Sequence, residues 1–401
     1  MKKSYYVSDA LHEYGETVRE WSVAEVRPYA RQADNLHAPP ENWREIMDTC
    51  PVPLVDFYDN PALPIPQFEE GPWVRKLVTV ENLLYGDCWP CAVVPQVSAG
   101  YLLLDRMGTQ AQRDRWSGIL QSTEAKTALG FTEPGCGSDT SMIATAASRH
   151  GDTWVLNGTK MFCSAGAFAD FVIVFATIDK ALGAKGIRAF LVPKGTPGLI
   201  VAKANESKLG LRGAITSELV FQNCSLPLDH MLGWGIEDEP PSSNDNRIKG
   251  RAGGLSVLSN NRPMVSAMAV GIAQAALDVA SALLTERHSE FSTQRWSAIV
   301  VELESMNATL VRARRLNFYA QLLADKGVKN VTESSMAKAY GPPTCERVVR
   351  RSMQLIGPDG ISTEHLLEKW YRDIKVYDIF EGTGQIQRTL VARALVGELA
   401  Q

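Results

Sequence analysis

The chain has 401 residues, two to three times the usual domain of about 100 to 200, so more than one hydrophobic core is expected. Hydrophobic residues at 45% and charged residues at 21% exclude an intrinsically disordered chain. With Lys+Arg 41 against Asp+Glu 45, the net charge of -4 gives no global attraction to nucleic acid or to an anionic membrane, and neither partner is expected.

The N-terminal stretch MKKSYYVSDALHEYGETV has two lysines but no apolar run behind them, unlike a signal peptide. No uninterrupted apolar run approaches the ~18 residues that span a bilayer. Seven scattered cysteines fit buried thiols in a reducing compartment better than a disulfide framework, so a cytoplasmic protein is expected.

Residues 1–126 carry helical periodicity, as in VREWSVAEVRPYARQA and GYLLLDRMGTQAQRDRWSGILQ, broken by a proline-rich stretch from Pro51 to Pro66. Here Cys88-Trp89-Pro90-Cys91 has the spacing of a dithiol pair, but its helical context favours structural cysteines. Residues 127–234 shorten to period-two and β-rich runs: TWVLNG, FVIVFATI, RAFLVP, LIVAKA and SELVFQN, punctuated by glycine, asparagine and proline. These predict a β-domain. Residues 235–254 are polar and read as a linker or surface insertion. From 255 to 401 helical periodicity returns in segments long enough for an antiparallel bundle, with Pro342-Pro343 expected to interrupt one of its helices.

Two segments could carry chemistry. Gly130 to Asp139, GFTEPGCGSD, packs glycines and hydroxyls into one turn, where backbone N–H groups and side chains can meet a polar ligand; the alternative is a tight solvent-facing connection. In the tail, Glu381 sits between Phe380 and Gly382 after an apolar run, where a carboxylate can be desolvated into a useful base. The alternative is an ordinary acid at a helix N-terminus. The six histidines are too dispersed to form a metal cluster by spacing, and no metal is expected.

Together these segments resemble the acyl-CoA dehydrogenase family of flavoproteins. The turn matches TEPGxGSD at Thr132 to Asp139, followed by NGTK at Asn157 to Lys160, KGIRAFLVPKGTPG at Lys185 to Gly198 and KLGLRG at Lys208 to Gly213. The tail matches RD followed by YEGTxxIQR, with Phe380 in place of the tyrosine. The resemblance implies an α+β multidomain fold: an N-terminal α-helical domain, a middle β-barrel-like domain and a C-terminal four-helix bundle. It also implies FAD at the domain junction, a homotetramer, an acyl-CoA substrate oxidised to the trans-2-enoyl thioester, and an electron-transfer flavoprotein as acceptor.

Carried over by position, the resemblance makes Glu381 the base that removes the α-proton while the β-hydrogen leaves as hydride to flavin N5. It places Phe131, Thr132, Ser138, Phe162 and Ser164 beside the flavin, with Phe162 replacing a common tryptophan. Arg287 falls at a contact to the FAD pyrophosphate of a neighbouring subunit, and Gln354, Gly357, Thr383 and Gln385 at further FAD contacts. Ser138, Arg262 and Gly382 fall near the substrate; without the resemblance, Arg262 reads as a salt-bridged residue at a helix start. The sequence departs from the family after Arg287, where the usual RxxFG becomes Arg287-His288-Ser289-Glu290-Phe291-Ser292, and after Gly357, where a glycine pair becomes Pro358-Asp359. It also lacks the family's glycine-rich loop in the N-terminal domain. The departures leave two other readings: a flavin-poor structural subunit of a mixed tetramer, or a dehydrogenase or oxidase acting on a carrier-protein-bound acyl group.

Overall fold

A computed structural model describes residues 7–52, 68–92, 97–120, 126–235 and 250–399. Most of the Pro51 to Pro66 stretch and most of the polar connection lie outside the described residues. The N-terminal part holds helices α1 (Asp9–Trp21), α2 (Ala30–Leu36), α3 (Trp43–Asp48), α4 (Pro72–Gly86), α5 (Val97–Met107) and α6 (Gln110–Leu120). Ser8 caps α1, its hydroxyl accepting from the Leu11 amide. Pro72 opens α4, whose Trp73 and Val74 amides donate to the Asp325 carboxylate at 2.8 and 3.0 Å.

The middle of the chain forms a curled mixed sheet of β1 (Thr127–Gly130), β2 (Ala146–His150), β3 (Thr153–Ser164), β4 (Phe171–Thr177), β5 (Ile187–Pro193), β6 (Leu199–Lys203) and β7 (Thr216–Pro227). The strand order is β1-β4-β2-β3-β7-β6, with β5 paired to β4. Strand β4 is apolar throughout because both faces of the sheet are packed there. Phe171, Ile173 and Phe175 join Leu103, Leu104 and Trp116 of α5 and α6, whereas Val172, Val174 and Ala176 face Leu156, Phe190 and Phe221. The short β1 and the polar β2 carry too little alternation to stand out in the sequence.

The C-terminal part holds α7 (Gly250–Glu286), α8 (Thr293–Asp325), α9 (Val331–Ile356), α10 (Leu367–Ile374) and α11 (Gly384–Leu399). Helix α7 begins inside the stretch read as polar connection, because residues 250–254 extend its first turn. By length and apolarity Ser259–Glu286 could cross a membrane, but 67% of that window is buried in the protein, which marks it as a core helix. Helix α7 shares one core with the N-terminal helices: Leu77 and Leu84 of α4 and Val270 and Leu277 of α7 belong to the same cluster. Helices α1 to α4 and α7 to α10 thus share one core, whereas α5 and α6 pack on the sheet.

Pro342 and Pro343 do not interrupt a helix, contrary to expectation; α9 runs through both. They deprive the Lys338 and Ala339 carbonyls of their i+4 donors, but packing outweighs this local cost. Pro342 is buried, and Gly341 lies so close to α7 that a Cβ there would fall 1.8 Å from Ser266 Oγ.

Candidate active site

The TEPG and NGTK segments meet through one buried ion pair. Lys160 Nζ donates to Glu133 Oε1 at 2.6 Å and to the Phe131 carbonyl at 3.2 Å, and the Glu133 carboxylate also accepts from the Ala144 and Thr145 amides at 2.7 and 3.0 Å. Burial works against the Glu133 charge, but Lys160 and these donors hold its carboxyl below the usual range. The Met161 amide donates to the Thr132 carbonyl at 2.8 Å, so the turn is stitched to β3 beside Phe162. The Phe131 ring lies 4.1 Å from that of Phe175, anchoring the turn on the sheet.

What this scaffold presents is open. Phe162 has a positive φ of 54° and is 55% exposed, a costly conformation for an aromatic residue that faces solvent. Ser164, paired with Thr216, and Thr132 are half-buried, and Ser138 is exposed. An aromatic face beside hydroxyl groups suits a planar heterocycle.

A second candidate cluster is built by the tail. Residues 375–378 form a short 3-10 helix, and Glu381 and Gly382 then take left-handed backbone with φ of 58° and 88°. The turn leaves no room for a side chain at Gly382, where a Cβ would fall 2.4 Å from Gln387 Nε2. Thr383 caps α11: its carbonyl accepts from the Gln387 amide at 3.0 Å and its hydroxyl from the Ile386 amide at 3.4 Å. Glu381 is therefore not the capping acid of α11. Its Oε2 is shut off from solvent and, among the described residues, has no hydrogen-bond partner.

Two cations sit near that carboxylate. Arg262 lies well inside α7, only 6% exposed, with Nη1 3.3 Å from Ser335 Oγ of α9 and Nε without a partner among the described residues. The alternative of a salt-bridged residue at a helix start does not hold: α7 extends past Arg262 in both directions, and the carboxylate that acts on its charge is that of Glu381. Lys338 of α9 is fully buried and donates to the Gly382 carbonyl at 3.2 Å, an atom that Gln387 Nε2 also reaches at 3.2 Å. Burial pushes the Glu381 carboxyl up to about 7 against the lowering pull of Arg262 and Lys338. Burial likewise pulls the Lys338 ammonium down to about 8, opposed by Asp378 and Glu381 and reinforced by Arg262.

The other predicted site residues all lie in the C-terminal part. Arg287 directly follows α7 and is tied to Glu290 at 3.1 Å and to Asp359 at 3.0 Å. Gln354 is exposed and accepts from Arg351, and Gly357 has a φ of 82° with open space around it. Gln385 is exposed on the first turn of α11. Sequence reading missed Lys338, Ser335 and Gln387. The signal was present for the lysine, because Ser334, Lys338, Gly341, Cys345, Val348 and Ser352 follow helical spacing and form one buried stripe.

The tail is fixed to the other domains just upstream. Lys369 Nζ lies 2.7 Å from Asp373 Oδ2 and 2.7 Å from Asp87 Oδ2, Trp370 Nε1 donates to Asp87 at 3.1 Å, and the Leu211 amide donates to Asp373 Oδ1 at 2.6 Å. Cys88 Sγ donates to Asp373 Oδ2 at 3.2 Å, which makes the first thiol of the CxxC a structural one. The Lys369 ammonium occupies the space among Asp87, Cys88 and Asp373 that a metal ion would need.

Comparison with known proteins agrees with this architecture. Residues 128–224 match the family model for the acyl-CoA dehydrogenase middle domain and residues 249–396 that for the C-terminal domain. A cyclohex-1-ene-1-carbonyl-CoA dehydrogenase of Geobacter metallireducens is 34% identical over 388 residues, covering 94% of this chain and 96% of that protein. The mitochondrial short-chain specific acyl-CoA dehydrogenase of Homo sapiens is 32% identical over 388 residues, covering 95% of this chain and 89% of the relative. The solved butyryl-CoA dehydrogenase of Megasphaera elsdenii superposes with a TM-score of 0.82 at 26% identity, covering 98% of this chain and 99% of its own. The chain belongs to the acyl-CoA dehydrogenase family of flavoprotein oxidoreductases.

Proposed function

We propose that this protein oxidises the Cα–Cβ bond of an acyl-CoA thioester to the trans-2-enoyl form, with Glu381 as the base and FAD as the cofactor. The observation that carries the reading is the Glu381 carboxylate, held on left-handed backbone with a buried, unpartnered oxygen and a carboxyl raised to about 7. Such a group is ionised in a useful fraction near neutral pH, yet basic enough to take a weakly acidic proton. The relatives named above act on CoA thioesters, which favours CoA over a carrier protein and a working enzyme over a structural subunit.

The residues present fit a flavin. Phe162 offers a ring face, and Thr132, Ser138 and Ser164 offer hydroxyls. Thr383, Gln385, Gln354 and Gly357 would meet the remainder of FAD. When bound, FAD supplies the acceptor for the hydride that leaves Cβ. The protein's own part is to aim Glu381 Oε2 at the α-proton, keep water from that oxygen and hold the thioester still. Arg262, Gly382 and Ser138 are assigned to the substrate side, Arg262 stabilising the ionised base until it takes the proton. Arg287 is assigned to the pyrophosphate across a homotetramer interface, with an electron-transfer flavoprotein as the onward acceptor.

The test is anaerobic. Purified protein should carry FAD in stoichiometric amount and be bleached by a short or cyclic acyl-CoA such as butyryl-CoA. A Glu381→Gln variant that bleaches at the normal rate would overturn the assignment of the base.

A further inference from the structure

Lys338 is an unusual lysine. Its Nζ is buried within α9, α7 and the tail, yet the hydrogen bond it makes goes to a neutral carbonyl, that of Gly382. Among the described residues it forms no direct ion pair, although Asp378 and Glu381 of the tail attract its charge and Arg262 of α7 repels it. An ammonium desolvated in this way costs stability, so packing alone does not explain it. The residue it holds is the second of two consecutive left-handed residues, the first being Glu381. That turn is strained, and strain persists only where surrounding contacts over-determine it.

We propose that Lys338 is a positioning residue for Glu381: its ammonium fastens the Gly382 carbonyl, fixing the left-handed turn that aims the carboxylate, and its charge stabilises that carboxylate in the ionised state. The inference rests on Glu381 being the base. Gln387 completes the clamp from the other side, donating to the same carbonyl from the first turns of α11. Arg262 and Lys338 then divide the work: both cations favour the ionised base, but only Lys338 also holds its backbone.

The experiment compares Lys338→Met and Lys338→Arg holoenzymes in two readouts. The first is the pH profile of kcat/KM; the second is an infrared titration of the Glu381 carboxyl, isolated by difference against Glu381→Gln. Removing the charge should move the Glu381 midpoint upward by about one unit or more in both readouts, and lower kcat at pH 7 at least ~10-fold with a smaller change in KM. Lys338→Arg should keep the midpoint near that of the parent. Lys338→Gln replaces the Met variant if that one does not fold, since it is neutral but can still donate to Gly382. The proposal is overturned if the neutral variant leaves the infrared midpoint unmoved, or if the Arg variant shifts it as far as the neutral one. The infrared titration needs no turnover, so it still reports on Lys338 if Glu381 proves not to be the base.

Discussion

Two buried charge clusters lie along the same stretch of tail and are built in opposite ways. Around Asp87, Lys369 and Asp373 both carboxylates grip one ammonium, and the Trp370 indole and Leu211 amide fill remaining acceptor positions. Around Glu381, Arg262 and Lys338 the charges are also buried, but among the described residues Glu381 Oε2, Arg262 Nε and Asp378 Oδ1 have no partner. The first cluster resembles a finished joint. The second is a set of valences kept open, and open valences in a protein interior are what a bound reactant can use. Burial alone thus does not set these two clusters apart; completeness of hydrogen bonding does.

The comparison can be broken most severely at the base. Glu381→Gln should lower flavin reduction by acyl-CoA by about 10² to 10⁴-fold, measured by anaerobic stopped flow. Next comes the closed joint, where Lys369→Met leaves two buried aspartates unpaired and should cost ~3 to 5 kcal/mol in chemical denaturation. If that variant were as stable as the parent, the cluster would not be the fastening inferred here.

The open site should show the reverse behaviour. The folded state binds the Glu381 proton more tightly than the unfolded chain does, because burial raises the carboxyl to about 7 from 4.5. The resulting penalty is absent below the unfolded value and fully present above the folded one. Glu381→Gln should therefore raise the melting temperature at pH 8 and change it little at pH 4. By the same titration, kcat/KM of the parent should rise with pH through about 7.

The smallest effect concerns Arg287. Its exposed pairing with Glu290 and Asp359 contributes little stability, and it competes with any phosphate brought to the guanidinium. Asp359→Gly should tighten FAD binding to the apoprotein by a few fold in a fluorescence titration, with the melting temperature of the apoprotein nearly unchanged.

Much of this was legible in the sequence. The β-rich apolar run of residues 171–177 marked a strand, and the helical periods after Pro263 a long bundle helix. Glu381 was legible through the family tail motif around it, since its neighbours alone also fit an ordinary acid at a helix N-terminus. Lys338 was not, because a charge inside a helix is ordinarily read as solvated, and only tertiary contact reveals the face it lies on. Pro342 and Pro343 misled in the other direction, since a local rule about donors was overruled by the packing of Gly341 against Ser266. Nor could spacing show that Asp359, a departure from the family pattern, reaches Arg287 from a distant turn.

One contact near the closed joint has a wider consequence. Gly210 of the middle domain approaches the tail so closely that a Cβ would fall 2.2 Å from the Arg372 carbonyl, and Leu211 is bonded to Asp373. The sheet is thus moored to the chain segment that runs on into Glu381. Any loosening of the sheet from the helical body must pull on the base before secondary structure melts. Heat inactivation of the holoenzyme should precede the loss of helical circular dichroism, so that catalysis serves as the most sensitive gauge of domain seating in this protein.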